Sequence, residues 1–172
     1  GGLWFGWSGQ VGARDDDEPE IVTRNGISFP GIDLEQQEFT RFLNGFSNGA
    51  LWPTFHYFLE TVNFSDEDYA GYLAVNRRFA ATLKPLLRDD DLLWVHDFHL
   101  IPLARALRDL GMPQPAAFFL HVPFPHVEAL RVLPVYGELV NAMLTYDVLG
   151  FQTQTDVESF RSAVLQLHGP EA

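Results

Sequence analysis

The sequence predicts an α/β fold with an open, mostly parallel sheet and helices on both faces. Residues 92–95, 116–122 and 148–151 form short apolar runs, and segments with helical spacing separate them. Parallel strands that are buried on both faces show such continuous runs, whereas half-exposed strands alternate apolar and polar residues. The runs begin about 25 to 30 residues apart, which leaves room for a crossover helix between successive parallel strands.

The N-terminal part of the sequence is less regular. Residues 3–7 are rich in aromatic side chains and predict a short strand that ends at the turn-forming residues after them. Residues 12–20 are acidic and contain Gly and Pro, which predicts a solvated surface loop. Residues 26–34 predict an edge strand or a loop, because Pro30 cannot donate a hydrogen bond to a neighbouring strand.

Helices are predicted from apolar spacing and from start signals. Residues 34–46 have apolar side chains three and four positions apart, and Pro53 suits the first turn of a second helix at 52–59. Ser65 precedes three acidic residues, which predicts a helix start because carboxylates interact favourably with the positive end of the helix dipole. That helix is predicted to run to about Leu87. Further helices are predicted over 99–110, before residue 146, and over 155–167.

Composition excludes several classes of protein. The formal net charge is −12, from 11 Lys+Arg against 23 Asp+Glu, and Lys84 is the only lysine, so clustered cations for nucleic-acid binding are lacking. No apolar run approaches the ~20 residues of a membrane span, so no membrane partner is expected. The sequence has no cysteine, which excludes disulfides and thiolate metal sites. With no leader that marks the chain for export, a cytoplasmic location is expected.

Two residues are candidates for a site because they follow buried strands. Ligands of open parallel sheets bind beyond the carboxyl ends of the strands. Asp97 and His121 occupy these positions, and Pro123 and Pro125 fix the backbone just after His121. Asp97 is either an acceptor for a substrate hydroxyl or the N-cap of the next helix, and one residue could do both. His121 is either a ligand contact or a structural histidine at a strand end.

Other chemistry is less well supported by the residues. Trp7 lies beside a turn, where its ring could cover a sugar face, and Trp52 is a second aromatic candidate, although such aromatic residues are more often part of a core. His96 beside Asp97 raises the alternative of a metal site, but successive strand residues point to opposite faces. No motif that supplies a third ligand occurs, so we predict no metal and no cofactor. Glycine-rich nucleotide loops and a serine nucleophile elbow are also missing from the sequence.

Several strings of residues, in this order, carry a family resemblance. They are GLWFGWSG at 2–9; NGFSN, LWP and FHY between 44 and 57; Tyr72 with VN at 75–76 and FA at 79–80; WVHDFHL at 94–100; FLHVPFP at 119–125 with LP at 133–134; and YDVLGFQT at 146–153. Together they cover nearly the whole chain. They resemble the trehalose-6-phosphate synthase family, which are retaining glycosyltransferases of the two-domain GT-B type.

The resemblance implies transfer of glucose from UDP-glucose to glucose 6-phosphate with retention of configuration. The implied partners are therefore a sugar phosphate and a nucleotide sugar, which is a substrate rather than a cofactor. Trp7, Trp52 and Asp97 match acceptor-site residues of the family, and His121 matches a residue that contacts the donor glucose. Asp97 and His121 are accordingly the catalytic candidates. The family mechanism is front-face, so the leaving diphosphate helps to deprotonate the acceptor and no protein nucleophile is implied.

The resemblance also implies how the chain is organised. Residues 1–172 would be a single, partial N-terminal domain of Rossmann-like type on the acceptor side. The family's first strand, with an Arg for the acceptor phosphate and a Gly-Gly donor loop, would precede it, and the C-terminal nucleotide-binding domain would follow. Because that domain supplies the cations for the diphosphate, the chain alone is expected to be inactive. A homo-oligomer of the complete enzyme is left open.

One departure from the family pattern concerns the acceptor phosphate. Family members usually carry Tyr before the Asn that matches Asn44, whereas Leu43 stands here and cannot donate a hydrogen bond. Two alternatives therefore remain. The chain could belong to a related transferase with another phosphorylated acceptor, such as glycerol 3-phosphate or a pseudo-sugar phosphate, or to a non-catalytic subunit that keeps the fold. The donor nucleotide, UDP or GDP, is open as well.

Overall fold

The structure, a computed structural model, describes residues 2–12 and 19–169, which form two β-sheets and a set of helices. The four-stranded sheet contains β1 (Gly2–Leu3), β2 (Gly6–Val11), β3 (Glu20–Arg24) and β4 (Ile27–Leu34). The three-stranded sheet contains β5 (Leu93–His96), β6 (Ala116–Phe119) and β7 (Val148–Gly150). Most of the predicted acidic loop, residues 13–18, lies outside the described residues.

The prediction of an edge strand or loop around Pro30 is wrong, because β4 is the central strand of the four-stranded sheet. It pairs in parallel with β1 and β2 along one side and antiparallel with β3 along the other. The carbonyl of Ser28 accepts a hydrogen bond from the N–H of Trp4, on the side of β4 that faces β1 and β2. Backbone groups two residues apart point to the same side of a strand, so the nitrogen of Pro30 also faces that side. That side is unpaired there, because β1 ends at Leu3 and β2 begins at Gly6, so no ladder bond is lost.

The predicted strand over residues 3–7 also differs from the structure. The chain breaks its pairing after Leu3 and resumes at Gly6, and β2 then continues to Val11. Gly9 does not end the strand. It adopts a positive φ of 89° within an irregular stretch where the register with β4 shifts. Glycine accepts this conformation without strain, so the strand bends rather than stops.

The first helices form one continuous helical run instead of two. It begins with α1 (Gln36–Glu38), widens into π-type turns over Phe39–Leu51 and ends with α2 (Trp52–Phe55), in which Pro53 lies in the first turn as predicted. A short 3₁₀ turn, Leu59–Thr61, precedes the next helix. Wide π-type turns are rare in globular proteins and frequently mark functional segments.

Helix α3 (Asp66–Leu83) starts where the sequence predicts. The hydroxyl oxygen of Ser65 accepts the backbone N–H of Asp68 at 3.1 Å, which caps the first turn. The helix ends at Leu83 rather than near Leu87, and a 3₁₀ turn, Lys84–Leu86, follows. Pro85 explains the early end, because its ring would clash with a carbonyl of the preceding turn. The predicted inward face is buried at Tyr72, Phe79, Ala80 and Leu83 and half-buried at Tyr69 and Leu73.

The three-stranded sheet confirms the predicted α/β class, since β5, β6 and β7 are parallel and lie in that order. A 3₁₀ turn and four helices follow its strands: Phe98–Leu100, α4 (Leu103–Asp109), α5 (Val127–Leu130), α6 (Tyr136–Met143) and α7 (Gln154–His168). One face is buried, through Leu93, Val95 and Phe118. On the other face Trp94 is 65% and Val148 62% exposed, so the expected cover on both faces is not seen within the described residues.

The two sheets are joined next to the carboxyl end of β5. Phe5 packs edge-on against Phe79 with ring centroids 5.5 Å apart, and Trp4 stacks on His96 at 6.2 Å. These contacts place the N-terminal aromatic residues beside the strand ends that the sequence analysis identifies. None of the helices in residues 2–12 and 19–169 is both long and apolar enough to cross a membrane.

Candidate functional site

Asp97 and His121 meet at the carboxyl ends of β5 and β6. The backbone N–H of Asp97 donates to the carbonyl of Phe119 at 2.9 Å, which extends the ladder between the two strands by one bond. The carboxylate Oδ1 of Asp97 accepts the backbone N–H of His121 at 3.4 Å and that of Phe98 at 3.0 Å. The structure therefore brings together the two residues that the strand-end rule selects.

The backbone of Asp97 is strained. Its φ is 71° and its ψ is 164°, a conformation that suits glycine and costs an aspartate roughly 1–3 kcal/mol. Both of its backbone contacts use Oδ1, so Asp97 does cap the 3₁₀ turn that follows. Oδ2 makes no hydrogen bond with any described residue. One carboxylate oxygen thus holds the loop, and the other is available to a ligand, which agrees with both interpretations of this residue.

His121 is fixed through its backbone and through its ring. Its carbonyl accepts a bond from Nε2 of Gln152, and its own N–H donates to Asp97. Its ring Nε2 lies 2.9 Å from Nδ1 of His96, with the ring centroids 5.2 Å apart. The side chain is exposed. A residue with an anchored backbone and an exposed ring is suited to contact a polar ligand.

Two of these neighbours were not assigned to the site from sequence. Gln152 follows β7 just as Asp97 and His121 follow β5 and β6, so the strand-end rule would have found it. The sequence suggests His96 only as a possible metal ligand. Its contact with His121 depends on how β5 and β6 pair, which the spacing of the two residues in the sequence does not show. Burial is the main cause that lowers the pKa of His96, and the nearby His121 lowers it further, while Asp97 acts in the opposite direction. Among the described residues, no three His, Asp or Glu side chains lie close enough together to hold a metal ion.

The loop after His121 is rigid for reasons beyond its prolines. The N–H of Phe124 donates to Oδ1 of Asp156 at 2.9 Å, and Asp156 is itself locked in a reciprocal capping box with Thr153 at the start of α7. The ring of Phe124 is buried against three aromatic rings. These are the rings of Phe55, Phe151 and Phe160. The loop therefore holds the position of His121 from its C-terminal side.

Trp7 lies on the four-stranded sheet and offers only its ring to a ligand. Its indole N–H donates to the carbonyl of Gln10 at 2.8 Å, and its ring packs against Phe39 at 5.5 Å. Together with Trp4 and Arg24 it lines an open cavity of about 420 Å³. In the described part of the chain it makes no hydrogen bond or ring contact with Asp97 or His121. It is connected to them indirectly, because Trp4 stacks on His96.

Trp52 stands at the start of α2 and is 41% exposed. It stacks on His56 at 4.3 Å and on Phe58 at 5.7 Å. The same helix is attached to both strand-end loops, because Phe55 packs against Phe98 at 6.3 Å and against Phe124 at 5.9 Å. Trp52 therefore lies on an element that borders the site, although it makes no direct contact with Asp97 or His121.

Several arginines that do not line the Trp7 cavity are paired with acidic side chains, and Arg24 lines that cavity. Arg41 bonds Glu67 at 3.0 Å, and Arg108 bonds Asp147 at 3.1 Å. Arg78 bonds Glu38 and also the carbonyl of Asp33, at 3.1 Å for the latter. Throughout residues 2–12 and 19–169, no arginine or lysine contacts Asp97 or His121. The strand-end residues can bind sugar hydroxyls, whereas a diphosphate would need cations from elsewhere.

Comparison with curated proteins shows what the chain is similar to. A model of glycosyltransferase family 20 matches residues 1–172. The chain is 47% identical over 169 residues to trehalose-6-phosphate synthase of Cronobacter sakazakii, a match that covers 98% of this chain and 35% of that protein. It is 44% identical over 168 residues to trehalose-6-phosphate synthase of an Escherichia coli strain, O1:K1 / APEC, with 97% and 35% covered. The chain thus spans about a third of the length of these relatives.

Solved structures agree with this result. The chain superimposes on a UDP-forming α,α-trehalose-phosphate synthase from Burkholderia xenovorans in complex with glucose-6-phosphate, with a TM-score of 0.93 and 42% identity over 95% of this chain and 36% of that one. An E. coli structure bound with UDP-2-fluoro glucose gives a TM-score of 0.94 and 44% identity over 97% and 37%. The resemblance found in the sequence is confirmed, and the chain belongs to glycosyltransferase family 20.

Proposed function

We propose that the complete protein is an α,α-trehalose-phosphate synthase that transfers glucose from UDP-glucose to glucose 6-phosphate with retention. The observation that carries this proposal is the convergence of Asp97 and His121 at one sheet edge, with a free carboxylate oxygen beside an exposed imidazole. The names of the relatives support it, and so do the ligands of the two structures, glucose-6-phosphate and UDP-2-fluoro glucose.

Each site residue has a part in this proposal. Oδ2 of Asp97 accepts a hydroxyl of the acceptor sugar and orients it, and the ring of His121 bonds a hydroxyl of the donor glucose. The rings of Trp7 and Trp52 cover apolar faces of the acceptor. For Trp7 the ring face is what remains for a ligand, because its indole N–H already donates to Gln10. Asp97 is therefore a positioning acceptor and not a nucleophile, since its other oxygen is held by two backbone N–H groups.

The reaction then follows a front-face course. The bond between C1 of glucose and the diphosphate oxygen breaks, and the acceptor oxygen forms its bond to C1 on the same face. The proton of the acceptor hydroxyl passes to the leaving diphosphate, so this chain needs no general base. Cations that stabilise the diphosphate lie outside residues 1–172 in this proposal, in a C-terminal nucleotide-binding domain, and the first strand of the acceptor-side domain lies outside them as well.

A second acceptor is favoured by one observation. Leu43 is half-buried against the core and presents no hydrogen-bond donor, and its neighbour Arg41 is paired with Glu67. If no other donor replaces the family Tyr, the acceptor is another phosphorylated compound, such as glycerol 3-phosphate or a pseudo-sugar phosphate. The cellular setting is the same in both cases, namely a cytoplasmic enzyme that does not bind nucleic acid, and a homo-oligomer is compatible with it.

The test is an assay of the complete protein with UDP-glucose or GDP-glucose and a set of phosphorylated acceptors. We expect trehalose 6-phosphate from UDP-glucose and glucose 6-phosphate, with the α configuration confirmed by NMR of the product. The 172-residue chain alone should give none. Transfer only to a different acceptor would establish the second candidate. Binding of UDP-glucose without transfer to any acceptor would show a non-catalytic protein.

A further inference from the structure

We propose that His96 is a positioning residue that sets the tautomer and the orientation of the His121 ring. This inference rests on the proposed function, in which that ring contacts the donor glucose. It starts from the distance of 2.9 Å between Nδ1 of His96 and Nε2 of His121, which is that of a hydrogen bond. A metal ion bound by both nitrogens would need about 2.0–2.1 Å on each side and hold them farther apart in tetrahedral geometry.

The contact determines which atom of His121 faces a substrate. An imidazole has two nitrogens, and each neutral ring donates from one of them and accepts at the other. With Nε2 engaged by His96, Nδ1 is the ring nitrogen of His121 that remains for a sugar hydroxyl. If His96 donates, Nδ1 of His121 carries the proton and donates to the sugar. If His96 accepts, neutral His121 must accept from the sugar at Nδ1.

The backbone of His121 cannot supply this control. Its N–H and its carbonyl are held by Asp97 and Gln152, but these bonds leave the side-chain torsions free. The ring is exposed, and no described residue other than His96 forms a hydrogen bond with it. The ring of Phe119 lies 4.8 Å from that of His121 but cannot select a tautomer, so among the described residues the hydrogen bond to His96 does so.

His96 is itself held firmly. Its ring stacks on Trp4 with centroids 6.2 Å apart and planes 16° apart, and it contacts Trp94 at 5.0 Å. Its strand pairs with β6, in the register that sets His96 opposite Phe119. The pKa of His96 lies below its ordinary value because of burial and His121, with Asp97 opposing, so the ring is neutral at neutral pH. A neutral ring that packs against two indoles is a fixed hydrogen-bond partner.

The geometry also limits the charge of the pair. Two imidazolium rings would direct an N–H at each other across 2.9 Å, so the pair holds at most one extra proton while the contact lasts. Removal of Nδ1 of His96 should therefore release the ring of His121 and let both of its tautomers form, without disturbing the fold.

The experiment uses the complete protein with ¹⁵N-labelled histidine and two variants. His96→Phe keeps a ring beside the two indoles but removes both nitrogens, whereas His96→Asn places an amide near the position of Nδ1. His168→Phe is the matched control, because His168 is also hydrogen-bonded, to Asn141 at 2.7 Å, at the far end of α7. The readouts are the imidazole ¹⁵N shifts of His121, kcat/KM for UDP-glucose, and the melting temperature.

We expect one tautomer of His121 in the wild type and in His96→Asn, and a mixture in His96→Phe. We expect kcat/KM for UDP-glucose to fall about tenfold or more in His96→Phe, as for the loss of one hydrogen bond, and to recover largely in His96→Asn. His168→Phe should match the wild type in the ¹⁵N shifts of His121 and in kcat/KM for UDP-glucose.

The inference is overturned if folded His96→Phe keeps wild-type kcat/KM, if His96→Asn loses as much as His96→Phe, or if wild-type His121 already populates both tautomers. A wild type that shows the single tautomer and loses it in His96→Phe, but transfers no glucose, would instead refute the proposed function and leave the His96–His121 contact standing.

Discussion

The hydroxyl group of Tyr72 donates a 2.6 Å hydrogen bond to the carbonyl oxygen of Phe98, the residue directly after Asp97. Tyr72 is fully buried in α3, and burial raises its pKa well above 10.0, so the hydroxyl stays protonated and can donate at any ordinary assay pH. Asn76, one turn further along α3, donates to the carbonyl of His99 at 3.1 Å. Helix α3 thus fixes the loop that carries the strained Asp97.

Tyr72→Phe should therefore destabilise the protein although it removes only one oxygen. The carbonyl of Phe98 loses its donor in a buried position, which costs roughly 1–3 kcal/mol of the free energy of unfolding. Urea unfolding followed by circular dichroism measures it. The matched control is Tyr57→Phe, whose exposed hydroxyl accepts the N–H of His126 at 2.9 Å and can be replaced there by water. Equal losses in both variants would contradict the importance of the buried bond.

Features that depend on short stretches of sequence were predictable. Asp97 and His121 could be selected because apolar runs show where parallel strands end, and ligands bind beyond those ends. Ser65 could be recognised as a cap because capping involves only the next three residues. The resemblance to the family rests on strings of the same local kind, and the comparisons confirm it.

Features that depend on distant contacts were not predictable. Pro30 is tolerated in a central strand only because a break between β1 and β2 happens to face it. The pairing of His96 with His121 depends on the register between β5 and β6. The run at 92–95 is apolar whether one face is covered or both, so the exposure of Trp94 could not be foreseen. In each case the deciding partner is remote in sequence.

The strain at Asp97 can be measured with two substitutions that both remove the carboxylate. Asp97→Ala keeps a Cβ in the positive-φ conformation of 71°, whereas Asp97→Gly relieves it. We expect the glycine variant to be more stable than the alanine variant by about 1 kcal/mol. Both should lose activity about ten- to a hundredfold or more, because a hydrogen bond from the acceptor to a charged group is lost.

Denaturant unfolding and initial rates of the complete protein provide these values. Equal stability of the two variants would argue against backbone strain at this position. Normal turnover by the folded fraction of Asp97→Ala would leave Asp97 with a capping role only.

The stability of the protein should fall in mild acid, partly because of His99. Burial lowers the pKa of His99 from 6.5, and the nearby carboxylate of Asp97 opposes this only in part. Below about pH 6.5 the unfolded chain therefore binds more protons at this residue than the folded chain does, so the free energy of unfolding decreases as the pH falls. His96, whose pKa is also lowered, contributes in the same direction.

His99→Phe should reduce this pH dependence, since the ring keeps its contacts with Phe98 at 4.0 Å and Phe42 at 6.3 Å but no longer titrates. Urea unfolding at about pH 7.5 and about pH 5.5 gives the difference for each protein. His168→Phe, in which an exposed histidine is replaced, is the control. If His99→Phe lost as much stability between the two pH values as the wild type does, His99 would be excluded as a source of the pH dependence.

The last prediction concerns the missing donor at Leu43. This side chain is half-buried in the π-type helical segment, and Arg41, two residues before it, is bonded to Glu67 and does not take its place. A tyrosine hydroxyl that bonds a phosphate oxygen stabilises the complex by roughly 1.5–3 kcal/mol. Leu43→Tyr should therefore lower the KM for glucose 6-phosphate about ten- to a hundredfold if that sugar is the acceptor.

Leu43→Phe separates the hydroxyl from the ring, because it adds the same aromatic bulk without a donor. We expect its KM for glucose 6-phosphate to stay near that of the wild type, while the KM for UDP-glucose changes little in either variant. Initial rates at saturating UDP-glucose measure the acceptor KM. A KM that is flat or higher in Leu43→Tyr, together with a wild-type preference for another phosphorylated acceptor, would refute glucose 6-phosphate as the substrate. The assignment to glycosyltransferase family 20 would still hold, because it depends on the whole chain rather than on this one position.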